Sequence, residues 1–233
     1  IGIALLVSSL LWPSSSRARL HAGIAEVAAG LCAAMAASIV RWDPPDADAS
    51  AVPGAAAPAL PPPPASLVPR VIALRGLLAE IAHEPPGDGP SAADHAAILD
   101  GIAWAVRSAD RLARSAVPGP ARLARHLRPE VDALEAAAER LARARGPALA
   151  DRAARPELAA AADALAGADA RIAGAIEAMR RRNVTPGADA TELLALFAVA
   201  DSLLVICEGL GRAAAPLVGP GRTDPRAPMR ASA

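Results

Sequence analysis

The sequence predicts an all-α fold, a cytoplasmic bundle of about five to six helices that follows the end of a transmembrane helix. Three observations lead to this prediction. Apolar side chains recur every three or four residues over long segments, which is the period of an amphipathic helix. Ala and Leu are abundant while aromatic residues make up only 2% of the chain, a composition that favours helices over strands. Clusters of Pro and Gly separate the periodic segments.

The first element is an uncharged apolar run over residues 1–13, which ends in Trp12-Pro13 and is followed by Arg17 and Arg19. An apolar run closing on Trp and then basic residues is typical of a transmembrane helix that leaves the bilayer on its cytoplasmic side. Twelve helical residues cover about 18 Å, whereas a span needs about 20 residues. We therefore expect the C-terminal end of a truncated transmembrane helix, with these four residues at the membrane interface. A signal or anchor segment and a buried helix of a soluble protein are the alternatives.

Residues 14–42 are predicted to form a long amphipathic connecting helix. One stripe of apolar residues runs along it at steps of three and four, comprising Leu20, Ile24, Val27, Leu31, Met35, Ile39 and Trp42. Residues 43–65 contain eight prolines and are predicted to be an extended linker with polyproline II character.

Residues 66–215 are predicted to fold as the bundle domain. Its helices are expected at 66–83, from Ser91 onward, at 121–145 with a kink or a start at Pro129, at 157–182 and at about 190–214. Ser91 and Asp94 form a capping box before the second of them, and Asp189 and Glu192 form another before the last. The last helix is the most apolar and is expected in the core, with a second transmembrane helix as its rival. Residues 216–233 are predicted to be a disordered tail.

No constellation of catalytic residues is recognisable in the sequence. The four histidines are isolated and are expected at the surface, and the chain has no Lys that could serve a P-loop or a Schiff base. Cys32 and Cys207 lie among apolar residues and are expected to be small buried hydrophobes. We therefore predict no enzyme, no cofactor and no metal site. A net charge of zero without a basic face argues against nucleic-acid binding.

The segment GIALLVSSLLWPSSSRARLHAGIAEVAAGLCAA resembles the FUSC family of fusaric acid resistance and aromatic acid exporter proteins. In that family an apolar helix closes on a hydrophobic-Pro element, which here is Leu11-Trp12-Pro13, and a long Leu/Ala helix then enters an all-helical cytoplasmic domain. The resemblance is most specific over residues 1–40. Beyond them it is a likeness in the order of elements.

The resemblance implies an inner-membrane efflux transporter for aromatic acids or similar small anions, of which this chain is the C-terminal cytoplasmic domain with an assembly or regulatory role. Residues 14–233 are then cytoplasmic. The expected partners are the lipid bilayer at the N-terminal segment, further copies of the chain in a homo-oligomer, and a membrane fusion protein. The alternative is a membrane-tethered helical interaction or sensor module without transport activity.

Overall fold

The computed structural model describes residues 16–42, 64–81, 89–115, 121–182 and 190–219. Across these ranges the chain is helical and contains no strand, which confirms the predicted all-α fold. The six α-helices in these ranges are α1 (Ser16–Trp42), α2 (Leu67–Ile81), α3 (Ala92–Ser115), α4 (Ala121–Ala150), α5 (Arg155–Arg181) and α6 (Ala190–Val218). Short 3-10 turns at Pro64–Ser66 and Arg152–Ala154 precede α2 and α5.

Three parts of the predicted organisation lie outside the described residues. These are the transmembrane end at 1–13, the linker up to residue 63 and the tail from residue 220. Asp189 of the second capping box is also outside them. The first capping box is present, because the Ser91 amide donates to the Asp94 carboxylate at 2.9 Å and the Asp94 amide donates to the Ser91 hydroxyl at 3.1 Å.

Helix α1 is a central element of the bundle and packs against α2, α3 and α4. All seven residues of its predicted apolar stripe are no more than 1% exposed. The prediction of one continuous buried stripe is therefore confirmed, and the helix predicted over 14–42 is observed over Ser16–Trp42. Burial of a large aliphatic side chain contributes about 1.5–3 kcal/mol relative to exposure, so this stripe is a major source of stability.

Helix α4 is longer than the sequence indicated. The predicted end at residue 145 is wrong, since α4 continues through Gly146 and Pro147 to Ala150. It also begins eight residues before Pro129, so it does not start at that proline. The real turn to α5 is set by Asp151, whose carboxylate accepts a 2.8 Å hydrogen bond from the Ala153 amide. Proline removes one helical hydrogen bond but leaves the others, and tertiary packing here outweighs that loss.

Helix α6 continues to Val218, past the predicted end near 214 and through Pro216. Its end is instead set by Gly219, whose φ of 99° lies in the left-handed region that glycine adopts readily. The Gly219 amide donates a 3.0 Å hydrogen bond to the Ala215 carbonyl and so closes the last turn. The first three residues assigned to the tail are therefore helical.

Helices α3 and α6 make the most extensive contact in the bundle, and they cross with their backbones nearly touching. A Cβ atom added to Gly101 would lie 2.6 Å from the Ala213 nitrogen and 2.7 Å from the Gly209 oxygen. One added to Gly209 would lie 2.8 Å from the Ala105 nitrogen. The two helices therefore run antiparallel through a pair of glycine-x-x-x-alanine sequences, in which only hydrogen fits at the glycines.

The side chain of Trp104 is 40% exposed beside this crossing. The guanidinium carbons of Arg107 and Arg212 lie 5.7 Å and 5.4 Å from the centre of its ring. Arg212 belongs to α6, so the indole covers the neighbouring helix through a cation–π contact.

We expect Gly101→Ala and Gly209→Ala each to lower the free energy of unfolding by about 1–3 kcal/mol or more, because the methyl group would overlap backbone atoms that cannot move independently. The matched controls are Gly211→Ala on α6 and Gly174→Ala on α5, where an added Cβ meets no atom within 4 Å. In these controls the free energy of unfolding should rise by about 0.5–1 kcal/mol, because alanine has a higher helix propensity than glycine. Urea unfolding followed by circular dichroism measures the free energy of unfolding of all four variants. Equal effects at all four glycines would contradict the close crossing.

Candidate functional site

The residues that stand out chemically are two histidines on neighbouring helices. His21 is on the second turn of α1, and His95 is on the first turn of α3. The capping box described above fixes the start of α3 and places the Ser91 carbonyl below His95. That carbonyl accepts two hydrogen bonds, one from the His95 amide at 3.0 Å and one from the His95 Nδ1 at 2.8 Å. The His95 imidazole is therefore held in one orientation.

The two imidazole rings meet end to end. Their Nε2 atoms are 2.9 Å apart, their centres are 5.2 Å apart and their planes differ by 21°. The centre-to-centre distance equals the hydrogen-bond distance plus a ring radius at either end, so both nitrogens lie near the line joining the centres. Face-to-face stacking does not allow this. The contact is an N–H···N hydrogen bond in which a lone pair points at a proton.

The hydrogen-bond network assigns the tautomers of the neutral pair. A carbonyl oxygen can only accept, so His95 Nδ1 carries a proton and donates it to Ser91. A neutral imidazole has one N–H, which leaves His95 Nε2 as an acceptor. His21 Nε2 must then carry the shared proton and donate it to His95. The remaining basic atom of the pair is Nδ1 of His21.

Burial and one neighbouring cation keep this pair neutral. His95 has no exposed surface and His21 is half-buried. Burial, then His95 and Arg17, lower the pKa of His21 to about 4. Burial lowers the pKa of His95, and the charge of Arg17 acts in the same direction. The bond to Ser91 and the charge of Asp94 oppose that shift.

The expectation that each histidine lies at the surface is wrong for His95 and holds for His126, which is exposed. His83 lies outside the described residues. The sequence did contain a signal for His95, because it precedes Ile98 and Leu99 by three and four residues and so continues the buried stripe of α3. Its pairing with His21, 74 residues earlier, has no signal in the sequence.

Of the predicted membrane-interface residues, Trp12 and Pro13 lie outside the described residues, and Arg17 and Arg19 occupy the first turn of α1. Arg19 pairs with Glu80 of α2 at 3.2 Å and donates to the Ser16 hydroxyl at 3.1 Å. The Nε atom of Arg17 is buried and has no hydrogen-bond partner in the described part of the chain. The structure brings Arg17 to the histidine pair.

The pair can bind two protons, and the two have different effects on the hydrogen bond between the rings. A first proton on His21 Nδ1 keeps the N–H···N bond and makes its donor cationic. A second proton on His95 Nε2 places two N–H groups against each other and breaks the bond. Two imidazoles alone are a small ligand set for a metal ion, and no group of three or more His, Cys, Asp or Glu suited to a metal occurs in the described ranges.

The chain matches no protein-family model, no curated protein and no solved structure. By length and composition two described helices could cross a membrane, Ser16–Trp42 and Ala190–Val218. Half of each apolar window is buried inside the protein, and core helices of soluble proteins have the same properties. Two of the acids on α6 are paired with arginines, Asp201 with Arg111 at 3.6 Å and Glu208 with Arg212 at 2.7 Å. Membrane association is therefore weakly indicated, and the pairing of these acids fits a bundle helix.

We expect the chain to lose stability as the pH falls from about 6.5 to about 4. The unfolded histidines take up protons near their ordinary pKa of 6.5, while the folded pair resists protonation until lower pH. The unfolded state therefore binds more protons in this window, and acid favours it. The double variant His21→Gln/His95→Gln should flatten this dependence, which urea unfolding at a series of pH values measures.

The matched control is His126→Gln, which changes an exposed histidine and should leave the pH dependence unchanged. Carboxylates contribute a background slope that is common to all three proteins. An identical slope in the double variant and the wild type would show that the pair titrates normally.

Proposed function

We propose that this chain is the C-terminal cytoplasmic domain of an inner-membrane efflux transporter for aromatic acids or similar small anions, in which the bundle regulates the membrane part. The transport activity and its substrate class rest on the FUSC resemblance of residues 1–40. The observation that supports a regulatory connection is the position of α1. It begins three residues after Pro13, and its whole apolar stripe lies inside the bundle.

This arrangement favours mechanical coupling between a membrane segment and the bundle. Close-packed interiors transmit strain, so a displacement at the N-terminal end of α1 shifts the residues packed around its stripe. Polar bonds at that end connect α1 to two other helices, through Arg19 and Glu80 to α2 and through the histidine pair to α3. The ion pair is half-exposed and is worth about 0–1 kcal/mol, so the apolar stripe carries most of the connection.

The histidine pair gives the proposed regulation a chemical input. Acid first charges the pair and then breaks its N–H···N bond, which loosens the contact between α1 and α3 close to the proposed membrane exit. Because the pKa of His21 in the folded pair is about 4, the pair stays neutral near pH 7 and this input acts only under strong acidification of the cytoplasm.

The stripe of α1 does not serve as the contact between subunits of the expected homo-oligomer. Leu20, Ile24 and Leu31 have no exposed surface because the chain's own helices cover them. Asp at these positions would unfold the bundle and would not report on assembly. A subunit interface has to use residues that remain exposed.

A tethered interaction module without transport activity is the second candidate, and the outer face of α2 favours it. Val68 and Ile72 are exposed one turn apart, at 40% and 65%. The flanking arginines are both engaged with neighbouring helices, Arg70 with Glu26 of α1 and Arg75 with Asp100 of α3. The outward face between them is therefore apolar and available to a partner.

The gene that encodes the chain tests the first proposal. We expect the reading frame upstream of Ile1 to encode several apolar segments of about 20 residues, each long enough to span a bilayer. Deleting the gene from its host should raise the intracellular level of an added aromatic acid such as benzoate, and the whole gene should restore the low level. A single upstream span, or unchanged accumulation in the deletion strain, would favour the tethered module.

Regulation by the bundle is tested in the same strain by complementing it with His21→Gln/His95→Gln. We expect export near pH 7.5 to match the wild type, because the pair is then neutral, and the change in export as the cytoplasmic pH is lowered toward about 4 to be reduced. His126→Gln is the control and should behave as the wild type. An unchanged acid response in the double variant would exclude the pair as the sensor while leaving transport itself intact.

A further inference from the structure

Arg145, on the last two turns of α4, is completely enclosed by the bundle. Its exposed fraction is 0%, a rare situation for an arginine. Nη2 donates a 3.1 Å hydrogen bond to the Leu210 carbonyl of α6. Nε and Nη1 are buried and have no acceptor in the described part of the chain. Only one of the three guanidinium nitrogens is therefore satisfied.

The guanidinium is also charged without a counter-ion. Burial lowers the pKa of Arg145 to about 10, an effect that Cys32 of α1 opposes, so the side chain stays protonated at neutral pH. Burial raises the pKa of the Cys32 thiol to about 11, so this neighbour is neutral. Among the described residues no carboxylate pairs with Arg145. An isolated buried charge is strongly unfavourable, and such groups are normally paired with an opposite charge.

We propose that Arg145 anchors a binding site for a small monocarboxylate anion in the core between α1, α4 and α6. Nη1 is an unused N–H donor, and together with the second N–H of Nη2 it forms a guanidinium edge that matches the two oxygens of a carboxylate, which leaves Nε to a water molecule. A single cation in neutral surroundings suits a single negative charge, whereas sulfate or phosphate would leave a net charge in the core.

The residues around Arg145 favour an anion with little bulk. Ala144 and Ala148, its buried neighbours on α4, are small, and Gly146 between them has no side chain. Formate and acetate are therefore the probes of choice. A buried water molecule could also accept from Nε or Nη1, but it would leave the charge unpaired. This proposal concerns the bundle core and does not depend on the transport activity proposed above.

Thermal unfolding of the full chain at pH 7 tests the site. Sodium chloride is replaced stepwise by sodium acetate or formate at constant ionic strength. We expect the wild-type midpoint to rise with saturation, by about 3–6 °C at tenfold the dissociation constant. Arg145→Met should show no such rise, and without carboxylate it should be as stable as the wild type or more so. Arg180→Met removes a largely exposed arginine of α5 and should respond as the wild type does.

Three results would overturn the proposal. Equal shifts in the wild type and Arg145→Met would indicate a general solvent effect. The absence of a shift in the wild type would indicate that water satisfies the guanidinium. Greater stabilisation by chloride than by acetate would exclude a carboxylate site. If Arg145→Met does not fold, the Nε–H resonance of Arg145, assigned with Arg145→Lys, replaces it as readout. A shift of that resonance that saturates with acetate supports the site, and an unmoved resonance contradicts it.

Discussion

The bundle depends on the crossing of α3 and α6, where Gly101 and Gly209 let two backbones approach more closely than any side chain allows. This approach fixes both the register and the direction of the two helices, since Gly101 faces Ala213 and Gly209 faces Ala105. The register in turn places Arg212 over Trp104 and Asp201 near Arg111, so polar contacts on the outer surface follow from a constraint on the inside. Those surface contacts are individually weak and do not set the geometry themselves.

The position of α6 then determines what happens along α4 and α1. The Leu210 carbonyl, one residue beyond Gly209, is the acceptor for Arg145, so the depth of α6 in the bundle decides whether that guanidinium has any partner at all. Cys32 brings α1 to the same region. At its N-terminal end α1 meets α3 through the histidine pair. The crossing and the two buried polar groups therefore belong to one packed unit.

Much of the fold could be predicted from periodicity, because the apolar phase of a helix is a property of consecutive residues. All stripe residues of α1 are buried, and the Ser91–Asp94 capping box starts α3. Helix ends were less predictable where proline and tertiary packing compete, as at Pro147 and Pro216. The end of α6 had a better local signal in Gly219, a residue suited to the left-handed position after a helix.

The candidate sites were not predicted, because polar side chains are expected at the surface even where the helical phase of the apolar residues places them on a buried face. Arg145 follows Leu134, Ala138 and Leu141 at steps of four, three and four, and so lies on the buried stripe of α4. His95 continues the stripe of α3 in the same way. The helical phase of the apolar residues indicates that such a side chain is buried. It does not indicate the partner, because the partner lies on another helix. The contacts with His21 and Leu210 therefore required the structure.

Both buried polar groups lower the stability that an apolar side chain would give at the same position. Replacing a buried charge by a hydrophobic residue of similar volume is often neutral or stabilising, so packing alone gives no reason to place Arg145 in the core. The same reasoning applies to His95, where burial opposes the charged form. The two groups make the bundle responsive to two solution variables, the proton at the α1–α3 contact and an anion at the α1–α4–α6 contact. Helix α1 takes part in both, so a change at either contact acts on the same helix.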